Sequence, residues 1–268
     1  MRARVTVAMI ACLSLTGAFC TESRREADAF PLSCLAQSPT EKGQTVRFSG
    51  YDWEVRGAGD GGPGPNHWDP DNVRVDSRGW LHLKFTNVQG EWRCAELNTQ
   101  KRFGFGRYQF QVVGRIDTLD QNVVLGLFTY PARDVGVDGT NEIDIEFARW
   151  GNARADNGSY TVYPASGKRA GETDHHTFNF KLQGDSTTHR FDWKPDRLIY
   201  RSVHGHRDDD EPEIAHWDYV PDDRRLIPQT PTPIHLNLWL FRGKAPVDGK
   251  EVEIVIKQFR FTPQKEGV

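Results

Sequence analysis

Along most of the chain apolar and polar residues alternate in short runs that break at Gly, Pro, Asn or Asp, and no stretch holds a helical period over three turns. A period of two places successive side chains on opposite faces of an extended backbone, so each run reads as a strand with one buried face. Such runs begin at Asn72 (NVRVD), Trp80 (WLHLKF), Arg107 (RYQFQVVG), Asn122 (NVVLGLFTY), Ser159 (SYTVY), His189 (HRFDW), Arg197 (RLIYRSV), Ile234 (IHLNLWLF) and Glu251 (EVEIVIKQFRF). The segment at 57–66, GAGDGGPGPN, reads as a loop and lacks the Gly-Lys-Ser/Thr ending of a phosphate cradle. Many short strands separated by turn signals predict an all-β sandwich or jelly roll.

One run departs from the ordinary pattern. Glu142-Ile143-Asp144-Ile145-Glu146 puts three carboxylates on one face of a strand and Ile143, Ile145 and Phe147 on the other. Asp and Glu are poor strand formers, and like charges two residues apart on one face repel. Two readings are open: a half-buried strand with a solvated polar face, or a pair of catalytic carboxylates with a third acid between them. Glycoside hydrolysis requires such a pair, with carboxyl groups about 5–5.5 Å apart for retention and about 6.5–9.5 Å for inversion. Glu142 and Glu146 are four residues apart, which places their Cα atoms roughly 13 Å apart on a straight strand. Two Glu side chains leaning together on a concave sheet close most of that gap. Asp144, flanked by two carboxylates, is placed to share a proton with a neighbour.

At 268 residues the chain suits one β-sandwich domain, and a net charge of −3 with scattered Lys and Arg lacks the footprint of a nucleic-acid binder. A neutral polymer is the better partner. Arg2 and Arg4 followed by an apolar run over 5–19, with charges returning at Glu22, read as an export signal over residues 1–20 and not as a membrane span. Residues 21–44 then form a linker or tail and 45–268 the domain, and the destination is secreted or periplasmic. Lipid anchoring through Cys20 ranks second because Phe19 before it is large. Removal of the signal takes Cys12 and Cys20 and leaves Cys34 and Cys94 as an even pair in an oxidising space, for which a disulfide to the core is the expectation. His175 and His176 are adjacent, so they cannot chelate together on a strand, and a solvated loop is expected. Asp208, Asp209, Asp210 and Glu211 lack the spacing of a Ca²⁺ loop and read as a hydrated turn. No metal ligand set is assigned and no cofactor is required, with a structural Ca²⁺ left open.

The segment NEIDIEF resembles the signature of glycoside hydrolase family 16, which includes bacterial laminarinases and lichenases acting on β-glucans. Flanking blocks are similar in the same order: CAELNTQKRFGFGRYQFQV at 94–112, GLFTYP at 126–131, THRFDWKPDRLIY at 188–200 and IHLNLWL at 234–240. The resemblance implies a concanavalin-like jelly roll with substrate across its concave sheet, Glu142 as nucleophile, Asp144 as assisting acid and Glu146 as general acid/base. It also implies Glu96 and Asn237 as sugar-hydroxyl ligands and Trp239 as a stacking indole; on their own residue types Glu96 reads equally as a surface acid, Trp239 and Asn237 as a core Trp with a satisfied amide, and Tyr130 and Tyr163 as either cleft aromatics or packing. The implied activity is retaining endo-hydrolysis of β-1,3 or mixed β-1,3-1,4 glucan by a monomer. A noncatalytic carbohydrate-binding sandwich and a cell-wall transglycosylase are the alternatives. Departures bear on the substrate. Thr140 stands where lichenases carry a Trp, the laminarinase Trp-rich run is replaced by NVVLGLF at 122–128, and residues 204–213 fit neither pattern. The lichenase bridge at the position of Cys94 has its partner near His67, where this chain has no Cys, so the pairing of Cys34 stays open.

Overall fold

The computed structural model describes residues 43–165 and 173–265. The proposed signal over 1–20, nearly all of the proposed tail over 21–44, and Cys12, Cys20 and Cys34 lie outside the described residues. Seventeen strands follow in chain order: β1 (Thr45–Phe48), β2 (Tyr51–Val55), β3 (Gly59–Gly61), β4 (Asn66–Trp68), β5 (Val73–Val75), β6 (Leu81–Val88), β7 (Glu91–Thr99), β8 (Gly106–Val113), β9 (Val123–Thr129), β10 (Glu142–Phe147), β11 (Gly158–Tyr163), β12 (Asp174–Phe178), β13 (Ser186–Trp193), β14 (Leu198–His204), β15 (Glu213–Tyr219), β16 (Ile234–Leu240) and β17 (Val252–Pro263). Every predicted run lies on one of them. Among the described residues no helix is long and apolar enough to cross a membrane.

Pairing arranges the strands in two layers. One layer runs β1-β2-β7-β16-β9-β10-β11-β12 and the other β5-β6-β17-β8-β13-β14-β15, antiparallel throughout. The β6–β7 hairpin joins them, and β4 adds a short parallel contact to β7. This is the expected β-sandwich jelly roll. Its core is the meeting of two inner faces: Ile145, Leu127, Leu236, Leu97 and Val55 fall in one register row across five strands of the first layer, and each is at most 1% exposed. Tyr108, Phe110, Phe191, Tyr200 and Phe259 face them from the second. Polar atoms that enter the core are paired across the layers: Tyr160 Oη donates to Ser202 Oγ at 2.7 Å, and Tyr200 Oη donates to the Thr161 carbonyl at 3.1 Å.

Because side chains alternate, the register that buries that apolar row turns the next residues outward together. Across the first layer these are Asp144, Phe128, His235, Asn98 and Glu54 in one row, and Glu146, Gly126, Asn237 and Glu96 in the next. The acid face therefore continues over four neighbouring strands.

One expectation needs correction. His175 and His176 do not sit in a loop: they lie on β12, paired with Thr161 and Tyr160 of β11. His176 stacks on Trp217 with ring centroids 6.0 Å apart, and this aromatic packing at the open edge of the sandwich sustains a strand that the polar sequence concealed. The acidic run at 208–211 is the exposed turn expected, and three of its acids meet arginines. Asp208 meets Arg260 and the Gln109 amide, Asp209 meets Arg207, and Asp210 meets the buried guanidinium of Arg190. Its acids neutralise an outward row of the second layer in which Arg260, Gln109, Arg190 and Arg201 are successive register partners. Finally, Cys94 is a free, fully buried thiol. It donates to Asn66 Oδ1 at 3.4 Å, and burial pushes its proton affinity up to about 12; the proposed pairing with Cys34 lies outside the described residues.

Candidate active site

β10 is the central strand of the site. It begins after Asn141, whose φ of 53° is a left-handed conformation that Asn tolerates better than most residues, and the buried Asn141 amide donates to the Pro164 carbonyl at 2.9 Å. The Ile143 amide donates to Thr129 Oγ1 at 3.0 Å, fixing the strand against β9. With Ile143, Ile145 and Phe147 each 0% exposed beneath, Glu142, Asp144 and Glu146 have no freedom to turn away from the outer face.

The centre of that face is closed in, with Glu142 and Glu146 half-buried on either side. Asp144 is 2% exposed, with Thr161 of β11 on one side and Phe128 of β9 on the other. Tyr163 stands opposite Glu142, and Ser159 opposite Glu146. Burial raises the proton affinity of all three acids. Glu142 is further raised by the charges of Glu146 and Asp138, and Asp144 by those of Glu142 and Glu146. The hydrogen bond between Asp144 and Glu142 acts in opposite senses on the two, holding the proton on Asp144 and favouring the Glu142 carboxylate. Glu146, pushed up by burial, titrates at about 7. The trio can therefore carry a carboxylate and a proton donor side by side near neutral pH.

The other predicted residues fall unequally around this centre. Tyr163 feels the charges of all three acids, which together with burial raise its phenol. Asn237 and Glu96 extend the Glu146 row across β16 and β7. Tyr130 lies at the rim, where its Oη donates to Asp138 Oδ1 at 2.8 Å. Trp239 lies farther along, level with Val124 and beyond Glu146, and packs at 6.3 Å on Trp150, which in turn meets Phe241 at 5.6 Å. Thr140 donates to the Val137 carbonyl at 2.7 Å, so the position that holds a Trp in lichenases serves a turn here.

Glu96 is not a bare ligand. Arg56 Nη1 approaches its Oε2 at 2.5 Å and His235 Nδ1 its Oε1 at 3.1 Å, and these partners hold it below the usual carboxylate range despite burial.

Sequence reasoning did not single out Phe128, His235, Arg56 or Gly126. The register of IHLNLWL with GLFTYP places the first two beside the acids, and that register is a tertiary fact. Gly126 sits between Glu146 and Asn237, and a Cβ there would meet Asn237 Oδ1 at 2.5 Å and the Phe128 ring at 3.2 Å. The Asn237 amide thus occupies the space that the missing side chain leaves. Asp144 Oδ1 and Asn237 Oδ1 are both buried without a protein hydrogen-bond partner, two unsatisfied acceptors beside the acid row. Among the described residues no group of three His, Cys, Asp or Glu side chains is set to hold a metal ion.

Comparison with known proteins agrees with this geometry. The family profile of Glycosyl hydrolases family 16 matches residues 65–253. A β-glucanase of Bacillus licheniformis is 26% identical over 175 residues, 64% of this chain and 62% of that protein. A β-glucanase of Acetivibrio thermocellus is 26% identical over 205 residues, 73% of this chain and 54% of that protein. The matches thus span less than two thirds of either relative. Among solved structures, a prokaryotic β-1,3-1,4-glucanase (lichenase) from a mouse hindgut metagenome superposes with a TM-score of 0.56 at 25% identity, covering 79% of this chain and 93% of that one.

Proposed function

The chain belongs to glycosyl hydrolases family 16, and from that premise we propose that it is an endo-acting hydrolase of β-glucan, of the β-1,3 or mixed β-1,3-1,4 type, working with retention. The observation that carries the reading is the acid face of β10, where half-buried Glu142 and Glu146 flank the buried Asp144 on one side of the strand and burial pushes Glu146 up to about 7.

In this mechanism Glu142 attacks the anomeric carbon while Glu146 gives its proton to the departing glycosidic oxygen. The bond from sugar to leaving group breaks and a glycosyl ester on Glu142 forms. Glu146, now ionised, takes a proton from water, whose oxygen attacks the same carbon, displaces Glu142 and restores both acids. Asp144 acts on Glu142: by holding a proton against it, Asp144 keeps the nucleophile ionised in a buried setting that would otherwise protonate it. Asn237, Tyr163 and Trp239 supply hydroxyl and ring contacts along the cleft, and residues 1–20 direct export.

The test is reducing-end release from laminarin and mixed-linkage glucan, with agarose and carrageenan as controls, by wild type and Glu142→Gln. Cleavage of a glucan that the variant loses, with the β-anomer appearing first by NMR, supports the reading. Equal turnover by Glu142→Gln, or first appearance of the α-anomer, refutes it. N-terminal sequencing of the protein recovered outside the cytoplasm tests the export segment.

A further inference from the structure

His235 stands one strand beyond Phe128, in the register row that begins at Asp144. Strands are about 4.8 Å apart, so its Cα lies roughly 10 Å from that of Asp144, about two sugar-ring widths from the acids. Its ring is held on three sides: it meets Phe128 at 5.3 Å, Tyr130 at 5.4 Å, and the Glu96 carboxylate through Nδ1. Glu96 is spent on this contact and on Arg56, which is itself anchored by the Gly62 carbonyl at 2.8 Å and lies 4.1 Å over Trp68. Both Glu96 oxygens therefore have protein donors, whereas the His235 ring makes its hydrogen bond through Nδ1 and leaves Nε2 unengaged among the described residues.

A carboxylate accepts only, so a neutral His235 facing it must carry its proton on Nδ1. That leaves Nε2 as a fixed acceptor on the floor of the cleft. We propose that His235 is a specificity-determining residue which accepts a hydrogen bond from a glucosyl hydroxyl through Nε2, and that Glu96 acts on the sugar through His235. This rests on the glucan reading above and alters one part of it: the sugar contact that the resemblance assigns to Glu96 passes to a neighbouring strand. Arg56 keeps Glu96 ionised and aimed, Glu96 sets the tautomer, and the Phe128 and Tyr130 rings fix the imidazole plane. A planar acceptor fixed in this way selects among hydroxyl orientations, where a free carboxylate with two rotatable oxygens would accept several.

Two measurements decide it. Two-bond ¹H–¹⁵N correlations on the sugar-free protein report the His235 tautomer without reference to activity. The Nδ1–H form in wild type, lost in Glu96→Gln, is expected, and an Nε2–H form overturns the proposal. Calorimetric binding of a mixed-linkage glucan tetrasaccharide is then measured in the inactive Glu142→Gln background. His235→Phe, which keeps the ring packing, is expected to bind about tenfold more weakly, and Glu96→Gln to weaken binding in wild-type His235 but not further in His235→Phe. Unchanged affinity in His235→Phe, or a Glu96→Gln loss of equal size in both backgrounds, overturns this inference while leaving the glucanase reading intact. Failure of every glucan oligosaccharide to bind overturns both. His235→Gln, which offers a polar atom in a smaller frame, serves as the second variant should the Phe variant fold poorly.

Discussion

Replacing Glu146 by Gln should make the protein more stable as well as inactive, and by an amount that depends on pH. Burial raises Glu146 from its ordinary 4.5 to about 7. At about 1.4 kcal/mol per pH unit, that difference is worth about 3 kcal/mol between its two protonation states. The sign follows from proton counting. Between pH 4.5 and about 7 the folded chain binds a proton at Glu146 that the unfolded chain has released, so stability falls as pH rises through this window. Above it the full penalty of about 3 kcal/mol is present, and at pH 4.5 well under about 1 kcal/mol remains. Gln cannot ionise, so Glu146→Gln escapes the penalty at every pH. It also removes the repulsion that Glu146 exerts on Glu142 and Asp144, which adds in the same direction.

The assay is thermal unfolding of wild type and Glu146→Gln at pH 4.5 and 8.5, by near-ultraviolet circular dichroism or calorimetry. A domain of this size shifts by about 2–4 °C per kcal/mol, so the variant should gain roughly 10 °C at pH 8.5 and about 1 °C at pH 4.5. The difference between the two pH values is the informative quantity, because any packing change from carboxylate to amide is common to both. Equal shifts at the two pH values, or a variant less stable at pH 8.5, would refute the claim that this face is strained by buried charge. The same ionisation should appear in turnover: kcat/KM on a glucan substrate falls with an alkaline limb near 7 as Glu146 loses the proton it must donate.

Gly126→Ala forces a methyl to within 2.5 Å of Asn237 Oδ1, and should lower both melting temperature and activity about tenfold in the latter; adding Asn237→Ala should restore the first without the second. Asn141→Val places a β-branched residue at φ 53° and should cost about 1–2 kcal/mol in urea unfolding, whereas Asn141→Gly should stay within about 0.5 kcal/mol of wild type. Cys94, buried with its thiol pushed up to about 12, should resist iodoacetamide at pH 8 in the folded protein and react fully in guanidinium, as read by peptide mass mapping; recovery of a disulfide-linked Cys94 peptide would contradict its free state.

The strands that could be read from the sequence are mostly those with one apolar and one polar face, such as β6, β8, β16 and β17, because burial on one side writes period two directly into the chain, while β9, buried on both faces, is read from its continuous apolar run. The unread ones are held by different means. β12 carries Asp, two His and Thr before its single buried Phe178, and it persists at the sheet edge through the stacks of His176 on Trp217 and Phe178 on Tyr160. β15, GluIleAlaHisTrpAspTyr, follows the 204–213 segment that fits neither family pattern, and is tied to β14 by Arg201 donating to Asp218 at 2.7 Å. β3 and β4 are three residues each, too short to show any period.

The site divides along the same physical line. The acids were legible because placing three carboxylates on a strand with Ile143 and Ile145 behind them is unfavourable for folding, and an unfavourable arrangement this regular points to chemistry. The partners of those acids were not legible, since a Phe, a Gly and a His carry no such signature on their own strands. Only the register of β9 against β10 and β16 puts Phe128 beside Asp144 and opens the gap at Gly126 next to Glu146, and only that of β16 against β7 sets His235 within reach of Glu96. The Glu96 assignment shows the consequence. From the chain alone it is an acid on a cleft strand, and an acid in a cleft reads as a sugar ligand. Arg56, 40 residues away, and His235, 139 residues away, occupy both of its oxygens, so the polar surface presented at that point belongs to a neighbouring strand. Strained charge can be inferred from local sequence, whereas specificity here depends on which distant side chain has already satisfied a given acceptor.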